Sequence, residues 1–83
     1  MIIPMQAGTE TTHRIDLLMK LTKFSDNTKS ALRFHFVNGG DIALCSCMFG
    51  IAQPNLQRSI NGLNEVNDIV QQITDINLYH FTE

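Results

Sequence analysis

The stretch Gly50-Ile51-Ala52-Gln53-Pro54-Asn55-Leu56-Gln57-Arg58-Ser59-Ile60 decides how this chain is read. Gly50 supplies the positive φ that a tight turn between two helices needs. Four residues earlier, Ser46 is small enough for a second helix to cross close to the first. Pro54 suits the first turn of that second helix, where its missing N–H costs nothing. Ile51, Leu56 and Ile60 are spaced to hold the helix to the body, which leaves Gln53, Asn55, Gln57 and Arg58, with Asn61 one turn on, facing outward. Amides and a guanidinium form bidentate hydrogen bonds to adenine and guanine edges, whereas an ordinary solvated helix carries mostly Glu and Lys. The pattern is that of a helix-turn-helix whose second helix reads double-stranded DNA. A small residue four before a glycine, followed by aliphatics, also occurs in plain helical hairpins, so the outward chemistry separates the two readings.

Upstream of the motif, Asp41 caps a helix running to about Phe49, and Ser25 or Asp26 caps another that stops at Asn38-Gly39-Gly40. A β-hairpin competes here, because Leu32-Arg33-Phe34-His35-Phe36 alternates with period two ahead of the turn pair Asn38-Gly39. It is set aside: the arm Ala43-Leu44-Cys45-Ser46-Cys47 does not alternate cleanly, and the cap and stop already bound a helix of ordinary length. A first helix begins at Thr11 or Thr12, with Leu17, Leu18, Leu21 and Phe24 at helical spacing and Ile15 and Met19 widening the stripe. An apolar arc that broad is gripped on two sides, by its own core and by a neighbouring subunit. Leu17, Leu18, Leu21 and Phe24 are therefore the expected oligomerisation surface.

Downstream, Leu63, Val66, Ile69, Val70, Ile73 and Ile76 continue the helical rhythm. Gly62 either breaks this segment from the preceding helix or sits inside one long helix, at a cost of about 1 kcal/mol relative to alanine. Asn61, Asn64 and Asn67 read as an outer face, and Tyr79 and Phe81 as anchors at the end. Residues 1–9, interrupted by Pro4 and Gly8, read as a flexible tail. Residues 10–83 then form one all-α domain of four to five helices containing the helix-turn-helix.

Composition bounds the function classes. A fold of 83 residues buries only about 60% of the surface of its unfolded chain, which favours dimerisation. The net charge of −2 is unevenly spread. Residues 10–40 carry +2, from Arg14, Lys20, Lys23, Lys29 and Arg33 against Glu10, Asp16 and Asp26, while residues 41–83 carry −4 with Arg58 as their one cation. Phosphate contacts, which supply most non-specific DNA affinity, are thus expected from Lys20, Lys23, Lys29 and Arg33, with several subunits summing their fields. Cys45 and Cys47 are too close for an unstrained disulfide within a helix and match no common zinc pattern, so both read as small apolar residues in a reducing compartment. His13, His35 and His80 lie far apart and read as surface or edge residues. With no phosphate loop, Cys–His pairing or acidic pair, neither an enzyme nor a metal or other cofactor is expected. No apolar run is long enough to span a membrane, and Met1-Ile2-Ile3-Pro4-Met5 is short and uncharged for a leader. The expected location is the cytoplasm, at the nucleoid.

Taken in order, these segments resemble the PapB-like regulators, the adhesin biosynthesis transcription regulatory family of bacterial fimbrial operons. The resemblance runs from about His13 to Asn77 through the Leu17-Leu18 pair, Ser25-Asp26, Ala31-Leu32-Arg33, Val37 and its glycine stop, the helix-turn-helix, and Leu63 to Ile73. It implies an all-helical, self-associating DNA-binding regulator of adhesin genes, some of whose relatives control phase-variable expression. The chain departs from the family in two places. Asp41-Ile42-Ala43 stands where members tend to carry basic residues, and Ser46 where they commonly carry a cysteine. The first departure removes phosphate contacts and, with the acidic C-terminal half, keeps a second reading in play. In that reading the chain is a protein-interaction module, an anti-regulator forming mixed oligomers with a related DNA-binding protein.

Overall fold

Four helices follow from the caps and stops. The computed structural model describes residues 5–82, with side chains to Ile76; residues 1–4, the side chains of Tyr79, His80 and Phe81, and residue 83 lie outside the described residues. The helices are α1 (Thr12–Met19), α2 (Asp26–Asn38), α3 (Ile42–Phe49) and α4 (Gln53–Thr82). The fold is all-α, and no strand forms among the described residues, so the hairpin alternative is absent.

Each of the first three helices begins on a side-chain oxygen that accepts an otherwise unsatisfied N–H. Thr11 accepts from Arg14 N, Ser25 from Thr28 N and Asp41 from Leu44 N. Gly39 ends α2 in the left-handed region, at φ 81°. The end of α1 departs from expectation. The helix stops at Met19 instead of continuing to Phe24, although neither glycine nor proline is present. The chain tightens into i→i+3 bonds, Leu21 N to Leu18 O and Thr22 N to Met19 O, each 3.1 Å, and the Thr22 hydroxyl donates to the same Met19 carbonyl at 2.7 Å. That local donor satisfies a carbonyl the next helical turn would have used.

The expected oligomerisation surface is consequently divided. Leu18 points into the core, Phe24 packs half-buried on it, and Leu17 and Leu21 are exposed. The core itself is formed by Ile15 and Met19 from α1, Leu32 and Phe36 from α2, Cys45 from α3, and Leu56 and Leu63 from α4. Full burial of each leucine, isoleucine, methionine or phenylalanine side chain stabilises by about 1.5–3 kcal/mol. α2 packs on all the other helices, and α1 and α3 each touch both α2 and α4.

Two further corrections concern polar residues. Residues 5–9, expected as tail, lie against the body. Met5 is buried and its N–H donates to Asn64 Oδ1 at 3.0 Å. Gly8 N and Glu10 N donate to the carbonyls of His35 (3.1 Å) and Phe36 (3.0 Å), which the end of α2 leaves without helical partners. Gly8, at φ 74°, passes so close to Gly39 that a Cβ on it would stand 3.2 Å from the Gly39 Cα. The asparagine face is also reassigned. Asn61 is outward, but Asn64 holds Met5 and Asn67 is buried, accepting from Arg14 Nη2. Arg14 also pairs with Glu10 at 3.1 Å, so it joins the N-terminal segment and α1 to α4.

α4 runs unbroken through Gly62, settling the question the sequence left open. Phe24 lies over this glycine, 3.7 Å from where its Cβ would stand. Since Arg14 reaches Asn67 and Phe24 reaches Gly62, α1 and the turn after it run antiparallel to α4. The rest of α4 projects beyond the other helices, which accounts for the elongated extents of 50 × 22 × 21 Å.

Candidate nucleic-acid interface

The turn between α3 and α4 is fixed from three directions. Gly50 adopts φ 64°, and a Cβ there would meet no atom within 4 Å, so the glycine is needed for its backbone angle and not for space. Its N–H and that of Ile51 (3.1 Å) both reach the Ser46 carbonyl. The Ser46 hydroxyl donates in turn to the Ile51 carbonyl. Ser46 therefore clamps the turn as well as leaving room for the crossing, a role its size alone does not reveal. Asn27, in the first turn of α2, donates from Nδ2 to the Phe49 carbonyl at 2.7 Å and ties α2 to the same corner.

α4 opens without a side-chain cap. The Ala52 carbonyl accepts from Leu56 N at 2.9 Å, which makes Ala52 the capping position, and its methyl group offers no acceptor. Leu56 and Ile60 are buried, as the spacing predicts, and Ile51 packs on the core. Gln53, Asn55, Arg58 and Asn61 are exposed, and Gln57 is half-buried. They fall into two lines. Gln53, Gln57 and Asn61 follow one another at i, i+4 and i+8, with Gln57 Nε2 donating to Asn61 Oδ1 at 2.9 Å. Asn55 and Arg58 form the second line, which continues to Gly62. Arg58 enters no ion pair among the described residues, so its guanidinium is available to a ligand.

The four cations assigned to phosphates are not equivalent. Lys20, Lys29 and Arg33 come together around an open hollow of about 250 Å³ whose wall also includes Asp16 and Met19. Arg33 Nε binds Asp16 Oδ1 at 2.6 Å, which offsets its charge. Both side chains are well exposed, and such a pair adds only about 0–1 kcal/mol to stability. Lys23 stands beside Phe24, whose ring covers Gly62 one turn after Arg58. Lys23 itself is exposed to solvent.

The other reactive groups take no part in this surface. Cys45 is buried, its Sγ is 3.6 Å from the Gly40 carbonyl, and burial first and the nearby Asp41 carboxylate second push its thiol pKa upward. Cys47 is exposed on the uncharged outer side of α3 with Leu44 and Met48. His13 is exposed, while His35 is half-buried, with Nδ1 2.7 Å from the Gly40 carbonyl. No cluster able to hold a metal occurs among the described residues, and no helix among them is long and apolar enough to cross a membrane.

Compared with protein-family models, with curated proteins and with solved structures, the chain matches none.

Proposed function

We propose that the chain is a sequence-specific DNA-binding transcriptional regulator of adhesin operons, acting at the nucleoid as a dimer or higher oligomer, with α3 and α4 as its helix-turn-helix. The observation that carries the reading is the surface on the first turns of α4. Four amide side chains and an arginine that forms no ion pair among the described residues stand on a helix held by Leu56, Ile60 and the Ser46 clamp. That set can read base edges. Phosphate contacts fall to Lys20, Lys29 and Arg33, which line one hollow, and to the exposed Lys23. The adhesin assignment comes from the order and spacing of the sequence elements that resemble the PapB-like family.

A gel shift against the DNA flanking the chain's own gene tests the proposal. Specific binding should weaken about tenfold or more on Arg58→Ala, since a bidentate arginine contact carries about 1–3 kcal/mol of discrimination. Circular dichroism must first show the variant folded. If folded Arg58→Ala and Gln57→Ala proteins both discriminate DNA as the wild type does, α4 is not the reading helix. The acidic C-terminal half favours the interaction-module reading. Salt separates the two, because DNA affinity falls steeply with ionic strength and apolar helix pairing does not.

A further inference from the structure

We propose that the hollow between α1 and α2 binds a phosphate monoester in its doubly charged form. Two pairs of side chains build the site. Asp16 on α1 and Lys20 at its C-cap lie one turn apart, as do Lys29 and Arg33 on α2. The ion pair of Arg33 with Asp16, at 2.6 Å, closes one end of the hollow. One turn away, toward the connection between the two helices, Lys20 and Lys29 line the same hollow. An opposite-charge pair at one level is thus followed by a like-charge pair at the next. No carboxylate offsets the two lysines. The ion pairs among the described residues are Arg14–Glu10 and Arg33–Asp16, and Asp26, three residues before Lys29, neither lines the hollow nor joins a pair. Like charges that share a hollow repel, and an anion between them turns the repulsion into attraction.

The charge balance selects the anion. Lys20, Lys29 and Arg33 against Asp16 leave 3 − 1 = +2. A phosphate monoester carries about −1.5 to −2 at neutral pH, whereas a nucleic-acid backbone phosphate is a diester with a single charge. The donors suffice as well. Arg33 spends its Nε–H on Asp16 and keeps its terminal nitrogens for a ligand. Buried Met19 contributes apolar surface to the wall, which lowers the local dielectric and strengthens each contact. The hollow measures about 250 Å³ and opens to solvent, so the organic part of the ester has a way out. DNA and the monoester would exclude each other there, because the same cations serve both.

Amide chemical shifts of the protein test the site during titration with methyl phosphate, a monoester, and with dimethyl phosphate, a diester, at about pH 8 and constant ionic strength. Methyl phosphate should shift the amides of Met19, Lys20, Lys29 and Arg33 saturably, with a dissociation constant of roughly 1 mM, and should bind at least about threefold more tightly than dimethyl phosphate. Lys20→Ala and Lys29→Ala should each weaken it about fivefold, and Asp16→Asn should strengthen it, with the helical content of each variant unchanged. Lys20 is exposed, so its variant keeps the fold. Shifts that do not saturate, and that sodium chloride reproduces, would overturn the site. Binding unchanged in folded Lys20→Ala and Lys29→Ala would put the anion elsewhere and overturn it too. Equal or tighter binding of dimethyl phosphate would make the hollow a backbone-phosphate contact and overturn the monoester. The titration contains no DNA, so its result and that of the gel shift stand independently.

Discussion

Ala52 is a small residue with a large effect on what surrounds it. It occupies the capping position of α4 with no acceptor of its own, leaving the N–H groups of the first turn for solvent or a phosphate. Ala52→Ser should raise stability by about 1 kcal/mol, read as a higher urea midpoint at unchanged slope. Ala52→Asp should stabilise similarly and also weaken DNA binding, because its carboxylate would lie where a phosphate is expected. The cysteines give a second prediction. Iodoacetamide should alkylate exposed Cys47 in the folded protein, and Cys45 only once urea unfolds it. Because the folded thiol of Cys45 is raised above the ordinary 9.0, the stability gained from keeping it neutral is complete below that value. It is lost as the pH climbs through the folded value, so an alkaline titration of stability should fall less steeply in Cys45→Ala than in the wild type. Single residues were legible in the sequence where their partners are local. The caps at Thr11, Ser25 and Asp41 and the turn glycine Gly50 could be read from neighbours within four positions. Arg14 and Asn67 are 53 residues apart and Arg33 and Asp16 are 17 apart, so nothing local marks either pair.

At the scale of elements, α2 and α3 begin and end where caps and glycines indicate, α4 opens without a side-chain cap, and the end of α1 is the instructive exception. The stripe Leu17, Leu18, Leu21, Phe24 keeps helical spacing across the real end of α1, because periodicity registers apolar positions and not the hydroxyl of Thr22 that closes the last turn. Asn67 is buried although its residue type suggests an outer face, and its position carries the signal. It stands four residues after Leu63 and seven after Ile60, on the buried side of α4, so spacing alone places it inward where residue type suggested outward. Gly62 offers the test at this scale. It is interior to a helix, and a methyl group there would meet Phe24 at 3.7 Å, an ordinary van der Waals distance. Gly62→Ala should therefore stabilise the protein by about 1 kcal/mol, helix propensity and the stiffer unfolded chain acting together. A lower thermal midpoint for that variant would mean that the helix is not continuous there.

For the molecule as a whole, residues 5–10 act as a strap. They supply donors to the last carbonyls of α2 and, through Met5 and Arg14, reach the middle of α4. Deleting residues 2–10 should cost about 2 kcal/mol, since the lost backbone hydrogen bonds contribute about 0.5–1.5 kcal/mol each, and the thermal midpoint measures it. DNA binding makes a separate prediction about charge. Lys23→Ala should lower the salt slope by about one per subunit and weaken all sequences alike, whereas Arg33→Ala should change the slope less, its charge already being offset by Asp16. The unbroken course of α4 has one more consequence, because it makes a ruler of the helix. At about 1.5 Å per residue, Arg58 and Ile76 stand about 27 Å apart along one face of it. Spin labels placed at these two exposed positions should therefore report a separation of about 27 Å, and a markedly shorter one would mean that the helix bends.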